Sequence, residues 1–329
     1  PTQHLWCRNA SEILIGADPV ETVALWEKLY EGTIFPGRRG LGIHALSAVD
    51  IALHDLAGKQ LGVPVYKLLG GARRESLRPY CTIFPGMPHD RSIKELMAII
   101  EGQFETALAT GFDAVKMEVL FGDLVSDAEL VRHIRAGRAM LGDEITMALD
   151  FGYRWKSWAD ARWVLDRVAD CNIYFAEAPL QHDDLAGHAR LAATSPIRIG
   201  GAEFGATRFE AREWLETGRV HVIQCAIDRA GGFTELRRIC ELAEFYGADV
   251  IPHGWKTGIT SACGRHLQAA CPRTPLFEYI SPVVFDSPLR RDLVSPEPVI
   301  ENGRMALPEG PGLGIELNEE AVERYRTDR

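Results

Sequence analysis

Between Phe112 and Tyr279 the hydrophobic and polar positions repeat one pattern seven times. A short apolar run ends in one ionisable residue, and an amphipathic stretch leads to the next run. The first four runs are AVKME around Lys116, ITMALD ending at Asp150, IYFAE ending at Glu177 and IRIGGAE ending at Glu203. VHVIQCAID ending at Asp228, ADVIPH ending at His253 and PLFE ending at Glu278 complete the series. From Asp150 onward the steps are 27, 26, 25, 25 and 25 residues, and the step from Lys116 to Asp150 is 34. A strand, a helix and two short loops fill such a step, so each reads as one βα unit. Apolar runs without polar alternation suit strands of a parallel sheet buried on both faces. The pattern therefore predicts a TIM-like (β/α)7β barrel, with an ionisable group at the C-terminal end of each strand facing one mouth.

Outside the repeat, Asp18-Pro19-Val20-Glu21 predicts a helix start. Asp18 is the expected cap, Pro19 sits at the first helical position and Glu21 stands where a capping-box acid belongs. That helix should stop near Gly32. A second is predicted over 42–60, with Leu41, Ala45, Ala48, Ile51, Ala52 and Leu56 as its apolar stripe and Gly62-Val63-Pro64 as its end. Two helices cannot bury their faces alone, so both must lean on another element. LRPYCTI reads as the first barrel strand, and 93–109 as the helix after it. Later helices are expected over 127–141, 157–170, 207–217, 233–246 and 259–270. Beyond Tyr279, PVIENGRMAL and GPGLGIEL read as short strands with Gly turns. The expected organisation is α/β: a barrel over 77–283, and a smaller α+β capping domain built from 1–76 and 284–329.

Composition narrows the functional classes. The chain has 329 residues, enough for such a barrel and a smaller domain. No uninterrupted apolar run is long enough to span a bilayer, so no membrane partner is expected. A net charge of -10 and a pI near 5.5 argue against a nucleic-acid partner, which needs a basic patch. The opening PTQHLWCRNASE has neither a signal-peptide pattern nor an Arg-rich transit pattern. Cys7, Cys81, Cys171, Cys225, Cys240, Cys263 and Cys271 are an odd set without a CxxC pair. They fit reduced thiols of a cytoplasmic protein better than a disulfide framework or a zinc site.

Asp150, Glu177 and Glu203 end three successive predicted strands, and neighbouring strand ends lie about 5 Å apart. Carboxylates that close must protonate unless a cation sits among them. Any one of the three alone reads better as a helix cap or an ion-pair partner. Three in register read as a metal site, because the barrel points all of them at one mouth. Oxygen donors without cysteine favour a hard ion, and Mg²⁺ fits because it tolerates few protein ligands and keeps open positions. A substrate carboxylate could fill those positions, and loss of its neighbouring proton would then give an enediolate beside the ion. Lys116 and His253 flank the trio. A lysine there can act as base or hold a carboxylate, and a histidine can move a proton near neutral pH. Against this stand the plainer readings of a solvated lysine and a core histidine.

The ordered motifs AVKME, ALDFG, YFAEAPL, GGAEF, IQCAIDRAGG, IPHGW and LFEYISP resemble those of the enolase superfamily, in its mandelate racemase-like branch. The resemblance runs from the helix at Asp18 to the GPGLGIEL tail. Enolase-superfamily sites pair a Lys or His base with Mg²⁺. By resemblance Asp150, Glu177 and Glu203 are metal ligands, His253 is the base and Glu278 is the acid that hydrogen-bonds the substrate carboxylate. Lys116 matches the first lysine of a KxK motif. Homo-oligomers are common in the family, so a symmetric assembly is expected too.

Three departures stand out. Glu118 replaces the second KxK lysine, is a far weaker base, and is placed to pair with Lys116 or to face the substrate. Ala226 stands where the family has the aspartate that orients the histidine. Asp228, about 6.6 Å further along the same strand face, either reaches His253 from a shifted position or leaves that dyad absent. The family's opening strands and a specificity loop have no counterpart here, so either the sequence continues ahead of its first residue or the smaller domain is reduced. A racemase wants a base on each face of the enediolate, whereas a dehydratase can work with one histidine. The expected function is therefore a Mg²⁺-dependent dehydratase of an aldonic or aldaric acid, a small-molecule sugar acid. A racemase or epimerase using Lys116 as the opposing base comes second, and a non-catalytic sugar-acid binder third.

Overall fold

The structure, a computed structural model, describes residues 10–37 and 39–326. Cys7 and the rest of the opening segment lie outside these residues. Eight parallel strands form one sheet: β1 (Pro79–Ile83), β2 (Ala114–Glu118), β3 (Thr146–Asp150), β4 (Ile173–Glu177), β5 (Ile199–Gly201), β6 (Val222–Ile223), β7 (Asp249–Val250) and β8 (Phe277–Tyr279). Their hydrogen-bonded order is β7-β6-β5-β4-β3-β2-β1-β8, so the sheet curls into the expected TIM-like α/β fold. No ladder joins β7 to β8, because the strands on that side are only two or three residues long. Two bonds bridge the seam instead. Val250 N–H donates to the Arg273 carbonyl at 2.7 Å, and Gly254 N–H donates to Glu278 Oε2 at 2.5 Å.

Side-chain alternation sorts the strands into two layers. Tyr80, Ala114, Ala148, Phe175, Val222, Ile251 and Leu276 form one small buried cluster inside the curl, with the rings of Tyr80 and Phe175 flanking the two alanines. Their strand neighbours, such as Val115, Met117, Met147 and Leu149, belong to a larger cluster under the helices. Lys116 and Glu118 share the parity of Ala114, so the inner layer ends in charge at the C-terminal mouth.

Six barrel helices follow the predicted spans closely, and those over 185–194 and 227–230 fall where no helix is predicted. After α1 (Thr22–Gly32) and α2 (Leu41–Leu61) come α3 (Ile93–Ala109), α4 (Asp127–Leu141), α5 (Trp158–Arg167), α6 (Leu185–Thr194), α7 (Thr207–Glu216), the short α8 (Ile227–Ala230), α9 (Gly232–Tyr246) and α10 (Gly258–Ala270). Ser92 with Glu95 and Ser126 with Glu129 make reciprocal capping boxes that fix where α3 and α4 begin.

Two expectations about the first helices fail. Asp18 closes a turn, accepting from Val20 N–H at 3.0 Å, and α1 starts later, at Thr22, without a side-chain cap. Of the predicted apolar stripe of α2 only Ile51 is buried, and Leu41 and Leu56 face outward at 80% and 52% exposed. The buried face instead carries Ser47, Asp50 and His54 among Ile43, Leu46 and Ile51. These polar groups can be buried because they are satisfied. Ser47 Oγ accepts from Gly231 N–H at 2.9 Å, and Asp50 accepts from Thr234 N–H at 3.1 Å and from Thr234 Oγ1 at 2.6 Å. Asp50 thereby serves free donors in the first turn of α9 from another element. A Cβ on Gly232, whose φ is +76°, would sit 2.3 Å from Asp50 Oδ2, so glycine is needed there.

The C-terminal tail returns to the first segment. Leu77 pairs with Met305, Pro64 with Gly312, and Leu313 N–H donates to Asp55 Oδ1 at 2.8 Å. β9 (Val294–Ser295) and β10 (Glu316–Leu317) pair antiparallel beside it. Among the described residues no helix is long and apolar enough to cross a membrane. The six described cysteines are free and buried.

His266 on α10 ties these parts together. Tyr66 N–H donates to its Nδ1 at 3.1 Å, and its Nε2 donates to the Leu313 carbonyl at 3.1 Å. Burial pushes this imidazole down to about 4. Since a free histidine titrates near 6.5, the unfolded chain takes up this proton first on acidification, and the stability held above that pH is lost as pH falls towards 4. From about pH 7.5 to about pH 4.5 the wild type should lose about 2.5 kcal/mol more unfolding free energy than His266→Asn in urea denaturation. Parallel pH profiles for the two proteins contradict this account.

Candidate active site

Strand register assembles the site. Glu118 pairs with Asp150 and Asp150 with Glu177, so three carboxylates lie in one row across β2, β3 and β4. Thr82 pairs with Lys116 and Tyr80 with Glu278, which brings the first and last strands to the same mouth. Glu203 and His253 lie just past the ends of β5 and β7 rather than within them, on the loops that leave the sheet.

Lys116 is the hub. Its Nζ lies 2.7 Å from Glu177 Oε2, 3.1 Å from Glu278 Oε1 and 3.6 Å from Asp150 Oδ2. The expected partner Glu118 is not bonded to it. Two residues on along the same strand face, Glu118 stands opposite Asp150 while the ammonium reaches across to β4 and β8. Glu278 also accepts from Thr82 Oγ1 at 2.5 Å and from Gly254 N–H at 2.5 Å. Asp150 Oδ1 accepts from Gly152 N–H at 2.9 Å. Glu203 takes the Tyr153 hydroxyl on Oε1 at 2.6 Å, and its Oε2 lies 3.2 Å from His253 Nε2. Glu177 Oε1 is buried and has no partner.

Electrostatics follow from these distances. Glu118, Asp150, Glu177, Glu203 and Glu278 are each no more than 9% exposed, and Lys116 is the one lysine among them. Burial pushes Asp150 up to about 6 and Glu177 up to about 8, against the pull of Lys116. Burial and the nearby Asp150 carboxylate push Glu118 far above the usual carboxylate range. Burial would raise Glu278 as well, but Lys116, His253, Thr82 and Gly254 N–H together hold it at about 2. Burial opposes the Lys116 charge, and Glu177 and Glu278 more than offset that, so the ammonium is held well above the usual lysine range. The cluster is short of positive charge, so burial raises Glu118, Asp150 and Glu177 without full compensation.

A divalent cation fits this deficit. One donor atom each from Glu177, Glu203 and His253 lie within 4.8 Å of one another, and the orphaned Glu177 Oε1 is a buried acceptor with nothing to accept from. Asp150 adjoins Glu177 in register, although in this geometry its second oxygen faces Lys116. An isolated buried acceptor of that kind is costly and calls for a counter-charge.

Asp228 is placed differently from the sequence expectation. The β6 strand ends at Ile223, and Asp228 lies on the short helix α8, where its Oδ2 is 3.4 Å from Lys256 Nζ. It does not meet His253, whose Nδ1 is buried without a partner, and Ala226 offers no polar group there. The helix turn between Ala226 and Gly231 swings Asp228 off the strand axis. Sequence reasoning also passed over Tyr153, Thr82 and the Gly254 N–H. Only Tyr153 left a sequence signal, as a tyrosine three positions past the strand-end acid in LDFGYRW.

The enolase C-terminal domain-like family matches residues 100–321, and the mandelate racemase / muconate lactonizing enzyme N-terminal domain matches residues 7–70. The chain is 34% identical to D-galactarolactone cycloisomerase from Agrobacterium fabrum, over 95% of this chain and 82% of that protein. It is 30% identical to arabinonate dehydratase from Saccharolobus solfataricus, over 92% of this chain and 77% of that protein. A crystal structure of a mandelate racemase/muconate lactonizing enzyme-like protein from Rubrobacter xylanophilus superposes with a TM-score of 0.87 at 29% identity, covering 99% of this chain and 88% of that one. With both family domains matched in order and the strand-end acids gathered at one mouth, the chain belongs to the enolase superfamily, in its mandelate racemase/muconate lactonizing enzyme branch.

Proposed function

We propose that the protein dehydrates an aldonic or aldaric acid to a 2-keto-3-deoxy acid. The observation that carries the reading is the surplus of buried carboxylates over one lysine at the barrel mouth, with His253 beside it. Relatives named as dehydratases of arabinonate, xylonate and galactonate support the substrate class. Asp150, Glu177 and Glu203 would hold Mg²⁺, which when bound supplies the positive charge that a substrate carboxylate and its developing enediolate need. In this reading the barrel spans 77–283, and 1–76 with 284–329 form the cap above it.

His253 takes the proton from the carbon next to the carboxylate. The same imidazolium then gives a proton to the β-hydroxyl as the C–O bond breaks, so water leaves and the enol left behind tautomerises to the keto acid. Lys116 stays protonated between Glu177 and Glu278, so it steadies negative charge and does not serve as a base. Glu118, buried where a second lysine would stand, offers no base either. With proton transfer confined to the His253 face, elimination is favoured over racemisation. Glu278, ionised and filled by three donors, has no proton to give a carboxylate; its part in this proposal is to hold Lys116 in place.

The similarity to D-galactarolactone cycloisomerase favours a second reading. The same proton abstraction opens a lactone when the ring oxygen sits on the β-carbon and leaves as a carboxylate, with no water lost.

A panel of sugar acids and their lactones, incubated with the protein and Mg²⁺, should yield a 2-keto acid from at least one member. Free water loss marks the first reading and ring opening the second, while exchange of the α-proton without keto acid would overturn both. On the substrate so found, His253→Asn should lower kcat by about 10²- to 10⁴-fold. Full turnover by that variant contradicts the assigned base.

Lys116→Met removes the lysine at the centre of the acids. Breaking such a buried pair should cost about 3–5 kcal/mol of stability without added metal. Mg²⁺ should restore more of the melting temperature in this variant than in the wild type. An unchanged melting temperature would mean that the acids do not depend on Lys116.

A further inference from the structure

Tyr153 is held in a conformation that its residue type disfavours. Its φ is +62°, in the left-handed region where a bulky aromatic residue is an outlier. The backbone is pinned on both sides, Tyr153 N–H donating to the Ala178 carbonyl at 2.7 Å and Gln181 Nε2 donating to the Tyr153 carbonyl at 2.5 Å. The ring lies against Phe204 and His182, with centroids 5.9 and 6.4 Å away. This geometry delivers the hydroxyl to Glu203 Oε1 at 2.6 Å. The other oxygen of Glu203 faces His253 Nε2 at 3.2 Å. Among the described residues that is the one polar contact of the His253 ring, since Nδ1 has no partner, Ala226 has no polar group and Asp228 is bonded to Lys256. Strain of this kind persists where surrounding structure over-determines it, and it concentrates at functional sites.

We propose that Tyr153 is a positioning residue of the catalytic centre: its hydroxyl fixes the Glu203 carboxylate, and through it both the cation site and the His253 ring. The support of the His253 ring therefore lies on its Nε2 side. This rests on the proposed function for the role of Glu203 and His253, while the hydrogen bond itself does not.

Tyr153→Phe keeps the ring contacts and removes only the O–H. Isothermal titration with Mn²⁺ should show affinity weakened about 10- to 100-fold, the usual loss when a group behind a metal ligand is removed. At saturating Mn²⁺, kcat should fall while KM stays within about two-fold, as expected when a catalytic group is misplaced and substrate binding is intact. The melting temperature of the metal-free variant should match the wild type. Because titration stoichiometry counts folded sites, a folding defect would read as fewer sites and not as weaker ones. Equal Mn²⁺ affinity in both proteins overturns the inference and leaves the proposed function standing. No Mn²⁺ uptake by the wild type overturns the proposed function instead.

Discussion

One buried ammonium among five buried carboxylates sets the terms for the rest of the molecule. Lys116 reaches Glu177, Glu278 and Asp150 from the inner face of β2, and everything at the barrel mouth adjusts to it. Its charge is too small for the cluster. Burial pushes Asp150 and Glu177 upward despite it, and only Glu278, which also has Thr82 and Gly254 N–H, is held low. A folded protein keeps such a deficit where it has a use, because uncompensated buried charge is expensive. The use we propose is to hold a divalent cation and to bring a substrate carboxylate beside a histidine.

The same contacts explain how the barrel is finished. The ladder runs out between β7 and β8, and Glu278 crosses that seam by accepting from Gly254 N–H, one residue past His253. Charge balance and barrel closure therefore share a side chain. After β6, α2 meets the first turn of α9 through Ser47 and Asp50, polar groups whose burial is offset by the α9 donors they satisfy. Both contacts depend on buried polar atoms with assigned partners, which makes them specific and intolerant of deletion.

Much of this was legible in the sequence because the period of the βα unit is strong. The even spacing from Asp150 to Glu278 located the strands, and the helix starts expected near 93 and 127 agree with the capping boxes that Ser92 and Ser126 form in the structure. The errors have physical causes. On α2 the apolar stripe Leu41, Ala45, Ala48, Ile51, Ala52 and Leu56 outscored a buried face that shares only Ile51 with it and whose polar members are satisfied by bonds from a helix far away in sequence. Asp228 kept the spacing but not the position, since β6 ends early and α8 begins within the same run. Tyr153 left only its place after the strand-end acid as a signal, because its contribution comes from a left-handed backbone that no propensity predicts.

The central claim is that the acids at the mouth exist to hold a divalent ion. Isothermal titration of the full chain with Mg²⁺ or Mn²⁺ tests it most directly. The account predicts uptake of one ion per chain, abolished by Glu177→Gln. Absence of any uptake by a folded protein, or unchanged uptake by that variant, would contradict it.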